Sequence, residues 1–319
     1  MSKSFDDLVD KPYRGRTARE LLEAPTDALL GVSAGDARHL RDAFGISSIA
    51  ELADDPFHAA ARAIRSAAGV PAFDPGPPPG WEAFFAGAPL EHDRTHPAGR
   101  FRLEFGPVYY RGRLDGTARV IVVGQDPATN EILAQRVFVG RSGQRVQKVL
   151  AKLGITRSYV MLNTFLFSVF GQFDAELRDI SLEPTVIGYR HAFLERLMAQ
   201  NPMEAVISFG AGARHAVENW PGKDTVPTFD LTHPAADDRF VVDSWNEHLP
   251  AMLEAVTPDD GASDDDGAPD PTPWSEPLGD GDMVDIPRFD LPFGVPDWHG
   301  ADGGHSTRDG NDKIVWNAP

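Results

Sequence analysis

Val120-Ile121-Val122-Val123-Gly124-Gln125-Asp126-Pro127 is an apolar run closed by a glycine, an amide, a carboxylate and a proline. Four consecutive β-branched apolar residues read as a strand buried on both faces, the pattern of a parallel sheet covered by helices. The Gly-Gln-Asp-Pro turn delivers a carboxylate to the carboxyl end of that strand, where open α/β sheets keep their ligand sites. Asp-Pro is also a common turn dipeptide, so the tetrapeptide alone is equally a plain strand-ending turn.

Outward from this strand the chain alternates. Strands are predicted at about 119–124, 158–163, 204–209 and 226–231, and helices between them. One helix follows Gly140 with Val146, Val149, Leu150 and Leu153 on its inner stripe and Ser142 as its expected N-cap. Another covers about 186–200 and stops before Pro202. The alternation predicts a three-layer α/β/α sandwich around a four-stranded, mostly parallel sheet over residues 99–256. Residues 1–72 read as a small helical domain. Ala37, Leu40 and Phe44, then Ile46, Ile49 and Leu52, fit two amphipathic helices. Residues 73–98, rich in proline, read as a linker and lead-in. Residues 257–319 hold Asp264-Asp265-Asp266 and repeated Pro, Gly and Asp, which predicts disorder. Yet Phe289, Leu291, Phe293, Trp298, Ile314 and Trp316 suit an extended segment packed on the body or a partner.

The chain of 319 residues has no cysteine, which excludes disulfides and cysteine-ligated metal or iron–sulfur centres. The start has no apolar signal core, and the most apolar stretch, 159–170, is too short to span a bilayer. A soluble, cytoplasmic, monomeric protein is expected. The net charge of −18 argues against nucleic acid until its distribution is seen. Residues 257–319 hold 15 acidic against 3 basic side chains, and between Arg111 and Arg157 nine basic residues face only Asp115, Asp126 and Glu131. That segment reads either as a DNA-facing surface or as a solvated arginine-rich helix face.

Three further segments follow Gly-Gln-Asp-Pro in order: Phe138-Val139-Gly140-Arg141-Ser142-Gly143, Leu162-Asn163-Thr164 and Thr232-His233-Pro234. In combination they resemble the uracil-DNA glycosylase superfamily over roughly residues 100–255. Gly-Gln-Asp-Pro and Leu-Asn-Thr are similar to its main family, and Phe-Val-Gly-Arg-Ser-Gly to its iron–sulfur branch, whose cysteines this chain lacks. The resemblance implies a monofunctional DNA glycosylase without cofactor, acting on a flipped pyrimidine and leaving an abasic site. It implies that Asp126 orients a water, that His233 donates a hydrogen bond to the departing base, that Phe138 stacks on it and that Asn163 reads its edge. Gln125 and Ala128 would complete the base pocket, and Arg141, Ser142, Arg145 and Lys148 would meet DNA phosphate. Taken alone, Phe138 also suits ordinary core, Asn163 a strand cap and His233 a loop histidine. Residues 30–52 resemble a helix-hairpin-helix module, although Asp36 stands where such modules often carry a cation.

Two departures bear on substrate. The family's tyrosine after Asp-Pro, which crowds the pyrimidine C5 edge, is Ala128 here, so the target is either uracil or a C5-modified pyrimidine of the kind found in phage genomes. The apolar wedge after His-Pro is replaced by Ala235-Ala236-Asp237-Asp238. Gly210-Ala211-Gly212 is not a dinucleotide fingerprint, because His215 takes its third glycine position. No metal site is expected, on the reading that no two histidines stand at helical ligand spacing and that the carboxylates are scattered. The alternative to a glycosylase is a non-catalytic nucleic-acid-binding or interaction protein on the same fold.

Overall fold

The computed structural model describes residues 5–57, 60–61, 73–103, 107–259 and 268–292. Contacts divide the chain between residues 72 and 73 into two compact units. In the first, α1 (Ala18–Leu22), α2 (Ala34–Phe44) and α3 (Ile49–Asp54) are each capped by a hydroxyl and an acidic residue three positions on. Gly45, at φ 72°, ends α2 in the left-handed conformation that glycine adopts without penalty. Asp36 is spent on its own helix, its carboxylate accepting from the Ser33 amide at 3.0 Å. Of the expected apolar stripes only Ile46 is buried, while Phe44 is 58% exposed.

The second unit holds the sheet. Its strands are β1 (Phe101–Arg102), β2 (Arg111–Gly112), β3 (Val120–Gly124), β4 (Tyr159–Asn163), β5 (Ser168–Val169), β6 (Ala205–Phe209) and β7 (Thr228–Leu231). Its helices are α4 (Pro79–Ala86), α5 (Leu90–Thr95), α6 (Thr129–Ala134), α7 (Gly140–Lys152), α8 (Ala175–Ser181), α9 (Pro184–Gln200), α10 (Ala211–Glu218) and α11 (Asp238–Ala255). The main sheet runs β2-β4-β3-β6-β7. The four expected strands are its parallel members, and the short β2 adds an antiparallel fifth at the edge of β4. β1 and β5 pair separately.

Alternation along β3 feeds two cores. Val120 and Val122 pack with Val146, Val149 and Trp245 of α7 and α11. Ile121 and Val123 pack on the other face with Phe193, Leu197 and Ala213 of α9 and α10. All four strand residues are fully buried, each worth about 1.5–3 kcal/mol relative to exposure. Burial on both faces is why this run carries no polar alternation.

Residues 73–98 are not a bare linker. Prolines at 78 and 79 open α4, whose Trp81 and Phe85 are buried against Phe193 of α9. The stretch 268–292 is packed as extended chain and short turns, with Trp274, Leu278, Ile286 and Leu291 buried. Phe293, Trp298, Ile314, Trp316 and the Asp264–Asp266 run lie outside the described residues. The tail's carboxylates also take part of the basic segment 111–157 away from any DNA face. Asp290, fully buried, pairs with Arg111 and Arg113; Asp259 pairs with Arg119, and Asp270 with Lys152. Arg136 pairs with Asp74. Four of the nine basic residues of the segment thus pair with the tail. Among the described residues no helix is long and apolar enough to cross a membrane.

Candidate active site

The sheet order sets the carboxyl ends of β4, β3, β6 and β7 side by side, and each bears one part of the site. Gly124 ends β3 opposite Asn163 of β4. A Cβ at Gly124 would collide with Asn163 Oδ1 and stand 2.9 Å from Phe138 Cζ. The bare glycine is therefore what lets the amide and the ring meet over the strand end.

Past Gly124 the backbone turns, and Asp126 is half-buried. Its Oδ2 accepts from the Val169 amide at 2.9 Å and its Oδ1 from Gln125 Nε2 at 2.9 Å. Burial pushes the Asp126 carboxyl above the usual carboxylate range, against the opposing pull of these two donors and of Arg102. Gln125, expected at the base, gives its amide to Asp126 and lies against Gly212, where a Cβ would stand 2.7 Å from its Oε1. It orients the carboxylate.

Phe138 is held in the left-handed region at φ 54°, costly for a bulky side chain. Two features hold it there. Gly143 of α7 leaves room for the Phe138 carbonyl, where a Cβ would collide. Glu131, 7% exposed, accepts from the Phe138 amide and, at 2.7 Å, from the Ala128 amide. One carboxylate thus ties the Asp-Pro-Ala turn to the loop of the aromatic ring. Burial pushes it up to about 7 in spite of both donors. Sequence reasoning missed Glu131; the signal was an acidic residue three positions after a helix-opening turn. The Phe138 ring packs edge-on to Phe209 at 5.8 Å, so it belongs to the core as well as to the site.

Asn163 is 6% exposed, and its Nδ2 has no hydrogen-bond partner among the described residues. A buried, unpaired amide donor costs about 1–3 kcal/mol. It is not a satisfied strand cap.

His233 follows β7. Its Nδ1 accepts from the Ala235 amide at 3.1 Å, which leaves the proton of the neutral ring on Nε2. Burial lowers its pKa and keeps the ring neutral. Behind it Gly210, at φ 87°, has space where a Cβ would stand 3.1 Å from the His233 Cβ. Thr232 is fixed from α11, its carbonyl accepting from Trp245 Nε1 at 2.9 Å and its amide donating to Ser244 Oγ at 3.0 Å.

Arg145 corrects its expected role. It is buried, donates to the Pro234 carbonyl at 2.7 Å and pairs with Asp238 at 3.1 Å, so it holds the His233 loop instead of facing phosphate. Asp237 caps α11. Ser142 is not the cap of α7, which begins at Gly140 after Val139 without a side-chain cap. Arg141 is exposed there, and Ser142 and Lys148 are partly so. Ala128 is exposed at the start of α6. Beyond the His233 loop, Phe240 is 53% exposed on the first turn of α11, with the Arg239 guanidinium 4.6 Å from its ring centroid.

A carboxylate, a buried amide, an aromatic ring and a neutral imidazole thus stand at the carboxyl ends of the parallel strands, where α/β sheets keep their ligand sites. Residues 112–245 match the family model of the Uracil DNA glycosylase superfamily. This segment, less than half of the chain, is thus similar to that superfamily of DNA glycosylases. A mutant crystal structure of UNG from Nitratifractor salsuginis aligns at 20% identity over 44% of this chain and 75% of that one, with a TM-score of 0.29. No curated protein matches.

Proposed function

We propose that this chain hydrolyses the N-glycosidic bond of a pyrimidine flipped out of DNA and leaves an abasic site. The observation that carries this reading is the unpaired Nδ2 of buried Asn163 beside the Phe138 ring. A ring to stack on and an unpaired amide are what a flipped base needs. Asp126 and His233 follow the ends of β3 and β7, strands that lie two spacings, roughly 10 Å, apart in the sheet.

In this reading the C1′–N1 bond breaks with its electron pair leaving on the base. Asp126 places negative charge beside the cationic sugar and accepts a proton from the attacking water. His233 donates through Nε2–H to the pyrimidine O2 as charge collects there, a fixed neutral donor. No lysine or amine nucleophile takes part, so the enzyme is monofunctional. Arg141, Ser142 and Lys148 on the outer side of α7 meet phosphate.

Ala128 bears on the base. Its methyl leaves open the C5 edge of a bound pyrimidine, which suits a C5-extended base such as a hydroxymethylated or glycosylated cytosine, and a role in phage defence, as well as uracil. The test is abasic-site formation on duplexes carrying uracil, thymine or C5-modified cytosine. Ala128→Tyr is expected to abolish action on the extended base and to spare uracil. Uracil-only cleavage removes the modified-base reading. A covalent adduct trapped by borohydride contradicts the water mechanism, and inactivity on every duplex contradicts the glycosylase.

A further inference from the structure

A second cluster stands apart from the strand ends. His92 lies on α5, His96 just beyond it, and Glu183 immediately before α9. The expectation that no two histidines stand at helical ligand spacing is wrong: His92 and His96 are four residues apart. His92 Nε2 is 2.7 Å from Glu183 Oε2, and His96 Nε2 is 3.1 Å from Oε1. One candidate ligand atom from each residue lies within 4.8 Å of the others. The imidazole centroids are 5.3 Å apart. Two imidazoles bound through Nε2 to one tetrahedral ion at about 2.0–2.1 Å bring their centroids to about 5 Å. The rings already have the spacing of a shared ion.

The surroundings fit as well. His92 Nδ1 is 2.9 Å from Oδ1 of Asp93, a carboxylate only 6% exposed. A carboxylate behind the imidazole holds the proton on Nδ1 and turns the Nε2 lone pair toward a metal. His96 is fixed by edge contact with Phe101 at 5.8 Å. Its Nδ1 accepts from the Ala98 amide at 3.2 Å, and this contact has to open when Nδ1 takes the proton in the metal-bound form. The imidazole–carboxylate pairs, slightly closer than ligands around a tetrahedral ion, part by a few tenths of an ångström to admit it.

We propose that His92, His96 and Glu183 bind a divalent transition-metal ion of the zinc type, with a fourth position left to water. Two imidazoles and one carboxylate are a donor set for zinc and its neighbours, and poor for magnesium or calcium, which take oxygen ligands. The ion would clip residues 92–96 to the head of α9, whose Phe193, Leu194 and Leu197 lie in the core. None of Asp126, Phe138, Asn163 or His233 takes part, so this site stands or falls separately from the glycosylase.

The test uses the full chain, stripped with chelator and titrated with zinc chloride by calorimetry, and with cobalt(II) by visible absorption. Wild type is expected to take up one equivalent of zinc, to unfold several degrees higher with it, and to give the intense bands of four-coordinate cobalt. His96→Ala and Glu183→Gln are expected to lose stoichiometric uptake. Asp93→Asn should weaken it about 10–100-fold, and His39→Ala should leave it unchanged. Absence of zinc uptake and of the cobalt bands in wild type, a measurement that needs no variant to fold, overturns the site. So does wild-type affinity in His96→Ala and Glu183→Gln.

Discussion

Arg145→Met separates the two jobs an arginine has at the start of α7. In the fold the guanidinium is buried, with one charged N–H on the Pro234 carbonyl at 2.7 Å and an ion pair to Asp238 at 3.1 Å. A hydrogen bond from a charged donor is worth about 1.5–3 kcal/mol. The Asp238 side chain is 30% exposed, so solvent screening limits its pair to about 1 kcal/mol or less. Methionine refills the space of the aliphatic stem and adds little cavity cost. The expected loss is about 2–3 kcal/mol, read as a lower urea midpoint at unchanged m. Loosening of the His233 loop should also lower kcat by about 10–100-fold. The salt dependence of DNA binding should keep its slope, whereas Arg141→Glu and Lys148→Glu should each flatten it by about one. An Arg145→Met protein of wild-type stability with a flattened slope would refute the reasoning and restore Arg145 to the phosphate contacts.

Asp290→Asn leaves fully buried Arg111 without its carboxylate and also disturbs Arg113 and the Tyr159 hydroxyl. It should cost about 3–5 kcal/mol in chemical denaturation, and a change under 1 kcal/mol would show the tail to be dispensable. Phe240→Ala removes the exposed aromatic that follows the His233 loop. It should slow base release from duplex DNA more than from single strands; equal slowing on both would deny it a part in base extrusion. The acid limb of kcat/KM should lie above the ordinary carboxylate range, because burial raises Asp126 and the ionised form is required. For the same reason the stability contribution of Asp126 is lost as pH rises through its folded pKa. Asp126→Asn should then remove the acid limb and, at neutral pH, unfold no earlier than wild type.

What was legible in the sequence is what periodicity and local turn chemistry encode. The four parallel strands follow from apolar runs such as Val120–Val123, and the strand-end residues Asp126, Asn163 and His233 follow from the motifs that close those runs. Long-range pairing was not legible. Nothing near Arg111 or Arg145 announces that Asp290 or Asp238 will take its charge, so the basic segment looked free when the fold had already neutralised most of it. Residues 73–98 were misread because proline density marks a helix start as well as a linker, and Trp81 and Phe85 are the residues that decide between them. Glu131 and Phe240 were not picked out because only the three-dimensional structure shows one buried beneath two loops and the other projecting from a helix turn.

The most direct measurement of the central claim is single-turnover base release from duplexes carrying uracil or a C5-modified cytosine, with wild type and Asp126→Asn at matched DNA occupancy. Wild type is predicted to leave an abasic site on at least one of them. Asp126→Asn is predicted to bind that DNA as well and to release the base about 10²–10⁴-fold more slowly. Release by Asp126→Asn at the wild-type rate, or no release by wild type from any duplex, would contradict the account.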